Sequence, residues 1–338
     1  MEKSENKVII IAEAGVNHNG DLGLARRMVY AAKEAGADYV KFQTAVPELV
    51  ISTFAPKAEY QKETTGSDQS QLEMCKAIHL PLADYAGLNE LCDSVGIGFM
   101  STPFDLVSID CLAGIGMDYW KIPSGEITNL PYLRKIASKG GRVILSTGMS
   151  TLDEVGAAVE VLENGGISRA DITLLHCTTQ YPTPYDAVNL RAMDALRTLG
   201  CGGVGYSDHT VGVEVPVAAV AMGATVIEKH FTLDKNMAGP DHRASLSPDE
   251  LKTMVAMVRN IERALGSGEK TVADAERPNI EVARKSIVAA RDIKRGEVLT
   301  EENITVKRPG NGVSPMLWDS VIGTRAVADF AYDELIRL

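Results

Sequence analysis

The sequence lacks several features that mark common classes of protein. It has no excess of basic residues, because 34 lysines and arginines stand against 45 acidic residues and the net charge is −11. Nucleic-acid binders need a basic surface, so this balance argues against nucleic acid as a partner. No apolar run reaches the ~20 residues of a membrane span, and the charged N-terminus has no signal-peptide core. We therefore expect a cytoplasmic protein that does not enter a membrane.

Paired cysteines and nucleotide-binding glycine motifs are also absent. The five cysteines show no CxxC spacing, and most lie within apolar segments: Cys75, Cys92, Cys111, Cys177 and Cys201. This pattern is typical of reduced thiols in a protein core. Neither GxGxxG nor GxxxxGK[ST] follows the first strand-like segment, which argues against dinucleotide-binding and P-loop proteins.

The sequence does contain a regular alternation of short apolar runs and longer helical patterns. Each run is followed by a segment with helical spacing, and the segment at 151–166 begins with a capping-box pattern, Thr151 and Glu154. Eight such repeats predict a (β/α)₈ TIM barrel rather than an open doubly wound sheet. The predicted strands are 7–13, 38–44, 98–104, 118–124, 142–148, 171–178, 202–209 and 225–232.

Polar side chains stand at the end of every predicted strand. In a barrel these carboxyl ends form one face, where the active site lies. The alternative is an ordinary solvated rim, but polarity at all eight ends, with lysines on two inward-facing strands, favours a binding site. The predicted set is Glu13, Lys41, Gln43, Ser101, Thr102, Lys121, Ser124, Ser146, Thr147, His176, Thr178, Thr179, Ser207, Asp208, His209, Glu228 and His230.

His209 and His230 are a candidate metal pair. They are 21 residues apart, which is one β/α repeat, so they should lie at equivalent heights on neighbouring strands. Neutral imidazole is a common metal ligand, and two histidines without cysteine suit Mn²⁺, Zn²⁺ or a similar divalent ion. The alternative is that both are hydrogen-bonded core histidines.

Lys41 and Lys121 should bring two ammonium groups to the same face. Together with the hydroxyl groups they suit a phosphate or carboxylate ligand. The alternative is a Schiff-base aldolase that uses Lys121 and no metal. Glu13 and Glu228 could act as acid or base, and we expect the nearby cations to keep both ionised at pH 7.

The composition divides the chain into parts. Residues 1–268 hold the predicted barrel, 269–284 resemble a charged linker, and 285–338 contain short β-type runs broken by turn signals. The last part is too small for a large core of its own. Within the barrel, the polar stretch 45–80 shows no clear element and is a candidate lid over the catalytic face.

Long stretches of the sequence match motifs of a known enzyme family. They are IIAEAGVNHNGD, VKFQT, YWKIPSGEITNLPYL, ILSTGMST, LLHCTTQYPTPY, GYSDHTVG, IEKHFTLDKNMAGPDHRASL and KRPGNGVSP. Together they resemble the sialic acid synthase (N-acetylneuraminate synthase) family over essentially the whole chain. The last motif lies in a segment that resembles an antifreeze-like (SAF) domain. Legionaminic acid and pseudaminic acid synthases share most of these motifs.

The resemblance implies condensation of phosphoenolpyruvate with an N-acetylated aldose. C3 of phosphoenolpyruvate would attack the open-chain aldehyde, water would add at C2, and phosphate would leave by C–O cleavage. The family implies a divalent ion, Mn²⁺ before Mg²⁺ or Co²⁺, and a domain-swapped homodimer. An ice-binding or carbohydrate-binding protein is the alternative from another class, although a cationic barrel mouth argues against it.

The resemblance also implies roles for individual residues. His209 and His230 would bind the metal, and Glu13, Lys121, Glu228 and His230 would be catalytic. Phosphoenolpyruvate would be held by Lys41, Thr102, Lys121, Ser124, Ser146 and Ser207. The sugar or the reacting centre would be faced by Glu13, Gln43, Tyr181, Glu228 and Asp241, and its acyl group by Arg308 of the other subunit.

One position departs from the family pattern. Sialic acid synthases carry Asn after HCT, whereas this chain has Thr179 in HCTTQYPTP. The change puts a hydroxyl near the substrates in place of an amide and leaves the identity of the sugar open. We expect N-acetylmannosamine, which gives N-acetylneuraminate. The alternative is 2,4-diacetamido-2,4,6-trideoxymannose, because GPDHRASL resembles the legionaminic acid branch.

Overall fold

Eight parallel strands form the larger part of the structure, a computed structural model that describes residues 7–57 and 70–338. The sheet order is β3-β2-β1-β8-β7-β6-β5-β4, and β3 and β4 lie beside each other where the sheet closes on itself. This nearly closed barrel confirms the predicted fold and all eight predicted strands. The strands are β1 (Ile9–Gly15), β2 (Tyr39–Thr44), β3 (Gly98–Pro103), β4 (Tyr119–Ile122), β5 (Arg142–Ser146), β6 (Ile172–His176), β7 (Gly203–Asp208) and β8 (Val226–His230).

Helices follow the strands and pack on the outside of the barrel. Several begin at the caps that the sequence indicates: Asp21 caps α1, and Thr151 with Glu154 forms the capping box of α7. The helices of this unit are α1 (Leu22–Ala35), α2 (Pro47–Val50), α3 (Gln71–Ile78), α4 (Asp84–Val95), α5 (Leu106–Ile115), α6 (Leu130–Lys139), α7 (Leu152–Asn164), α8 (Ala192–Arg197), α9 (Glu214–Ala221) and α10 (Pro248–Leu265).

The stretch 45–80 differs from the sequence-based expectation, because it contains α2 and α3. Helix α3 begins at a complete capping box in which Ser70 and Glu73 each bond the other's backbone. The Ser-x-x-Glu pattern was visible in the sequence, and it outweighs the polar character of the flanking residues. Part of the predicted lid, 58–69, lies outside the described residues.

Alternation along the strands separates two apolar layers. Outward-facing residues pack against the helices, while one small inner layer fills the barrel below the catalytic face. Inward-facing residues nearer the carboxyl ends are polar and buried, Glu13 and Lys121 among them. The inner apolar layer consists of Ile11, Met100, Ile144, Leu175 and Val226.

The chain divides into two compact units, Met1–Gly266 and Ser267–Leu338. In the second unit, β9 (Ser286–Ala289) and β10 (Ile304–Lys307) pair antiparallel around a small apolar core that includes Phe330. Two helices, α11 (Arg277–Ala283) and α12 (Trp318–Val321), belong to this unit. Helix α11 lies within the predicted linker. None of the helices in the described ranges combines the length and apolar character needed to span a bilayer.

Candidate active site

A cavity of about 440 Å³ lies where the carboxyl ends of the barrel strands meet. Every strand contributes to its wall, either directly or through the loop that follows. The cavity brings together thirteen of the residues predicted from the sequence: Glu13, Lys41, Gln43, Thr102, Lys121, Ser124, Ser146, Thr179, Tyr181, Ser207, His209, Glu228 and His230.

Two other predicted residues, Asp241 and Arg308, are not among those that line the cavity. Asp241 is buried in the loop after β8, and burial raises the pKa of its carboxyl to about 6. Arg308 belongs to the second unit, where its Nε donates a hydrogen bond to the Ala283 carbonyl at 3.1 Å. Their contacts with the sugar stay predictions.

Strand register explains which side chains reach the cavity. Residues at alternate positions face inward, and the register places Glu13 beside both Lys41 and His230. The same alternation turns five of the predicted strand-end residues away from the cavity: Ser101, Thr147, His176, Thr178 and Asp208. Ser101 bonds Thr44, the His176 ring bonds the Val188 carbonyl, and Asp208 contacts Lys229. The Thr147 and Thr178 hydroxyls donate to the Leu175 and Ala187 carbonyls. The prediction that these five residues face the site was therefore wrong.

Lys41 connects the two carboxylates of the site. Its Nζ lies 2.7 Å from Glu13 Oε2 and 3.6 Å from Glu228 Oε2, and it donates to Thr102 Oγ1 at 2.8 Å. All four side chains are buried, so water screens these interactions weakly. The pKa of Lys41 is raised, because the two carboxylates outweigh the opposing effect of burial.

Lys121 lies on the other side of Glu228. Its Nζ is 3.7 Å from Glu228 Oε1 and donates to Ser146 Oγ at 2.7 Å. Ser207 Oγ donates to the same carboxylate oxygen at 3.0 Å. Burial lowers the pKa of Lys121, although Glu228 opposes that shift.

The two carboxyl groups have different protonation behaviour. Burial raises the pKa of Glu13 to about 7, since the nearby Lys41 offsets only part of this effect and Glu228 adds repulsion. Burial also tends to raise the pKa of Glu228, but the charges of Lys121 and Lys41 outweigh it and lower this pKa to about 2. With a pKa of about 7, Glu13 is only about half ionised at pH 7, so the expectation that cations keep both groups ionised holds for Glu228 and only in part for Glu13.

His209 and His230 face each other across the cavity mouth. Their ring centroids are 5.5 Å apart, and the Tyr181 ring packs against both. The His209 Nδ1 lies 2.6 Å from the Thr178 carbonyl, so this nitrogen carries the hydrogen and leaves Nε2 with a free lone pair. His230 Nδ1 is buried and has no hydrogen-bond partner in the described part of the chain.

The donor set at this pair suits a divalent metal ion. Burial lowers the pKa of both imidazoles, so both are neutral near pH 7 and can donate a lone pair. Hydrogen bonding of His209 to a backbone carbonyl is the usual support for a metal-bound imidazole. The described residues contain no group of three or more His, Cys, Asp or Glu arranged around a metal position. Water or substrate oxygens would therefore complete the coordination.

The cavity also contains residues that the sequence analysis did not assign to it. Cys177 was interpreted as a core thiol, yet it lines the wall and its Sγ lies 3.2 Å from Ser124 Oγ. Counting by twos from inward-facing Leu175 would have found Cys177. Gln71, Phe104, Pro123, Gly125 and Met149 come from loops or from a helix start, for which strand alternation gives no signal.

Comparisons with known proteins show which family the chain resembles. The NeuB family model matches residues 28–270, and the SAF domain model matches residues 284–338. An N,N'-diacetyllegionaminic acid synthase from Campylobacter jejuni is 52% identical and covers 98% of this chain and 99% of its own. One from Legionella pneumophila is 50% identical and covers 94% of this chain and 89% of its own. The crystal structure of an N-acetylneuraminic acid (sialic acid) synthetase from Leptospira borgpetersenii superposes with a TM-score of 0.71 at 33% identity, covering 83% and 95% of the two chains.

Proposed function

Because this chain belongs to the NeuB family, we propose that it is a nonulosonic acid synthase that condenses phosphoenolpyruvate with 2,4-diacetamido-2,4,6-trideoxymannose. The products would be N,N'-diacetyllegionaminic acid and phosphate. Two relatives with that activity in their names are about half identical to this chain, while the sialic acid synthetase is 33% identical. The comparisons thus favour the alternative sugar of the sequence analysis over N-acetylmannosamine.

One observation carries the proposal: two lysines, two carboxyl groups and two neutral imidazoles share one buried cavity. With both carboxyl groups ionised, the lysines and carboxylates have no net charge. Protonation of Glu13, whose pKa is about 7, leaves this group of four with one net positive charge. A trianionic enol phosphate would favour that state, so substrate binding should be coupled to proton uptake at Glu13.

Lys41 and Lys121 would bind the phosphate and carboxylate of phosphoenolpyruvate. The hydroxyl groups beside them, Thr102 and Ser146, already accept hydrogen bonds from the two ammonium groups and can donate their own hydrogens to the ligand. Ser124 and Ser207 line the same cavity and would add donors. Such a mixed cradle of ammonium and hydroxyl groups suits the phosphate and carboxylate of this anion better than a neutral sugar.

In the proposed reaction, formation of one carbon–carbon bond must be coordinated with the movement of protons. C3 of phosphoenolpyruvate bonds the aldehyde carbon, and the aldehyde oxygen takes up a proton. Water adds at C2 and gives up a proton. The new C2 hydroxyl then passes its remaining proton to the departing phosphate as C2–O cleavage leaves a ketone. A carboxyl group with a pKa near 7 can accept and return such a proton at neutral pH, which assigns this role to Glu13.

His209 and His230 would hold the divalent ion, with Mn²⁺ expected before Mg²⁺ or Co²⁺. Bound there, the ion would polarise the aldehyde carbonyl of the sugar. Tyr181, which packs on both rings, would shield this side of the cavity and contact the sugar. The metal and its preference stay predictions, as does the cytoplasmic location.

We also propose the domain-swapped homodimer. Large apolar side chains are exposed on loops after β2, β5, β6 and β7, and Phe54 and Met149 are 94% and 72% exposed. Apolar groups gathered at one face commonly mark an interaction surface. A second copy of the chain would cover this face with its SAF domain and bring Arg308 to the sugar.

A labelled-substrate assay tests the proposed activity. Phosphoenolpyruvate with ¹⁸O in the bridging C2–O position should release labelled phosphate in the presence of Mn²⁺ and the diacetamido sugar. N-acetylmannosamine, tested in parallel, should react more slowly. Faster turnover of N-acetylmannosamine would shift the proposal to N-acetylneuraminate. Absence of phosphate release with both sugars would contradict the synthase itself.

The same assay, run after treatment with EDTA or borohydride, distinguishes the proposed synthase from the lysine aldolase alternative. A Schiff-base enzyme would keep its activity in EDTA and would be inactivated by borohydride in the presence of a carbonyl substrate. The proposed synthase should lose activity in EDTA, regain it on addition of Mn²⁺, and resist borohydride. Borohydride labelling of Lys121 would favour the aldolase.

A further inference from the structure

A buried ion pair lies directly behind the two histidines, on the outer side of β7 and β8. Asp208 and Lys229 are partners in the strand register, and neither lines the cavity. The Lys229 Nζ contacts Asp208 Oδ2 and donates to the Thr210 carbonyl at 2.7 Å. Asp208 also accepts from Thr210, through Oδ1 from the backbone N–H at 3.1 Å and through Oδ2 from the hydroxyl at 2.9 Å.

Each member of the ion pair precedes one histidine in the sequence. Asp208 precedes His209, and Lys229 precedes His230. Because strand residues alternate, the ion pair turns outward while both imidazoles turn into the cavity. A fixed distance between Asp208 and Lys229 therefore fixes the separation of the two backbone segments that carry the rings.

The backbone at His209 needs this support, because the described pairing of β7 with β8 ends at Asp208 and Lys229. Beyond that point the chain is held by the bonds from Thr210 to Asp208 and by the hydrogen bond from the Thr183 N–H to the His209 carbonyl. The ring itself is oriented by the Thr178 carbonyl. The contacts among Asp208, Lys229 and Thr210 thus hold the backbone in place beyond the last paired residues of β7 and β8.

Stability alone is a poor explanation for this cluster. The cost of removing two charges from water offsets most of their attraction, and apolar residues of similar size often replace such a pair without loss. Geometry is the better explanation, since the charges specify one register at the strand ends. We propose that Asp208, Lys229 and Thr210 are positioning residues that hold His209 and His230 in the arrangement required to bind one divalent ion.

This inference rests on the proposed metal site. Within 7–57 and 70–338 the two histidines are the protein ligands available there, so the affinity should depend strongly on how well both rings are placed before the ion arrives. Residues that support metal ligands from behind commonly change metal affinity about 10- to 100-fold when they are replaced. Asp208 and Lys229 would act in this way through the backbone rather than by contact with the rings.

Metal affinity and thermal stability, measured on the same variants, test the proposal. Titration of the metal-free protein with Mn²⁺, followed by the EPR signal of free Mn²⁺, gives the Kd without any turnover. Asp208→Ala should weaken Mn²⁺ binding about 10- to 100-fold. Asp208→Asn keeps the size of the side chain but only one acceptor oxygen, so its NH2 group faces either the Thr210 N–H or the Lys229 ammonium. It should therefore also weaken Mn²⁺ binding, although by less than Asp208→Ala.

A buried hydrogen bond on the outer side of two other barrel strands provides a matched control. Thr44 and Ser101 form a buried hydrogen bond at 2.6 Å on the outer side of β2 and β3. Thr44→Val removes that bond and should lower thermal stability while leaving the Kd for Mn²⁺ unchanged. If Asp208→Ala behaves like this control, with lower stability and an unchanged Kd, the cluster is only structural and the proposal is overturned.

A second variant covers the case in which Asp208→Ala does not fold. Thr210→Val removes the hydroxyl bond to Asp208 and keeps the size of the side chain, and it should weaken Mn²⁺ binding about 3- to 10-fold. An unchanged Kd in this variant would also overturn the proposal. Wild-type protein that binds no Mn²⁺ would overturn the metal site and this inference together.

Discussion

Glu13 and Glu228 carry the same side chain and share one lysine, yet their pKa values are shifted in opposite directions. Glu228 lies between Lys41 and Lys121 and accepts a bond from Ser207. Glu13 has one close cation, Lys41, at 2.7 Å. Because both are buried, the number of cations decides which carboxyl keeps its proton. Glu13 is therefore the group in this cluster that exchanges a proton near neutral pH.

Replacement of Glu13 should change how stability depends on pH. The folded-state pKa of about 7 lies above the unfolded value near 4.5, so the folded protein binds an extra proton between these values. The free energy of unfolding of the wild type should therefore fall as pH rises through this window. Glu13→Gln cannot bind this proton and should not show the decrease. The free energy of unfolding of Glu13→Gln, relative to the wild type, should rise by about 3 kcal/mol from pH 4.5 to 7. Urea denaturation at several pH values measures it, and parallel curves for the two proteins would contradict the assignment.

The sequence could predict that Glu13 and Glu228 reach the site, but it could not rank their pKa values. Period-two alternation and the carboxyl-end rule suffice to place an inward-facing side chain in a barrel. The pKa depends on separations such as the 2.7 Å between Lys41 and Glu13, which no sequence pattern encodes. Cys177 was missed for a different reason, since an apolar context was given more weight than its inward register.

At the scale of the element, the turn after β5 shapes the site through a glycine. The Gly148 N–H donates to Ser124 Oγ at 2.9 Å. A Cβ added at this position would lie 2.6 Å from Thr179 Cγ2 and 2.9 Å from Ser124 Oγ. A residue with a side chain would therefore push apart two walls that are both predicted to hold substrates.

Gly148→Ala should weaken phosphoenolpyruvate binding with little effect on the fold. Because both contacts would be closer than 3.0 Å, Ser124 and Thr179 must move. Their displacement should raise KM for phosphoenolpyruvate about tenfold, and overpacking should cost about 1–3 kcal/mol of stability. Steady-state kinetics and thermal denaturation measure the two effects. A normal KM would remove the Ser124 side of the cavity from the phosphoenolpyruvate site.

Gly87, on the outside of the barrel, has open surroundings and contrasts with the crowded Gly148. Gly87 lies inside α4, and a Cβ there would meet no atom within 4 Å. Gly87→Ala should stabilise the protein by about 0.5–1 kcal/mol, because alanine favours helix and nothing must move to admit it. Chemical denaturation measures this gain, and kcat and KM should stay at wild-type values. A loss of stability would contradict the open surroundings of Gly87.

At the scale of the whole molecule, the two units differ in how far sequence reasoning reaches. The barrel follows from eight repeats of one pattern, each strong enough to be recognised separately. The SAF segment has only short β-type runs, and its identification came from the KRPGNGVSP motif rather than from periodicity. An assembly depends on complementary surfaces rather than on local pattern, so the domain swap rests on resemblance and on exposed groups such as Phe54.

Subunit complementation tests the domain swap directly. Arg308→Ala removes a group from the SAF domain, and His209→Ala removes one from the barrel, so each variant alone should have defective sites at low sugar concentration. In a swapped heterodimer one site receives both defects and the other receives none. Coexpression at equal levels makes about half of the dimers mixed, which should restore about a quarter of wild-type activity.

The matched control pairs two barrel defects, His209→Ala with His230→Ala. Both changes lie in the barrel, so no mixed dimer of this pair contains an intact site, whether or not the domains are swapped. Recovery with the first pair and none with the second would require that Arg308 acts on the partner's barrel. Light scattering checks that the coexpressed proteins form dimers. If dimers form and both pairs stay inactive, each SAF domain serves its own barrel, because an intact site in the first pair requires Arg308 and His209 to come from different subunits.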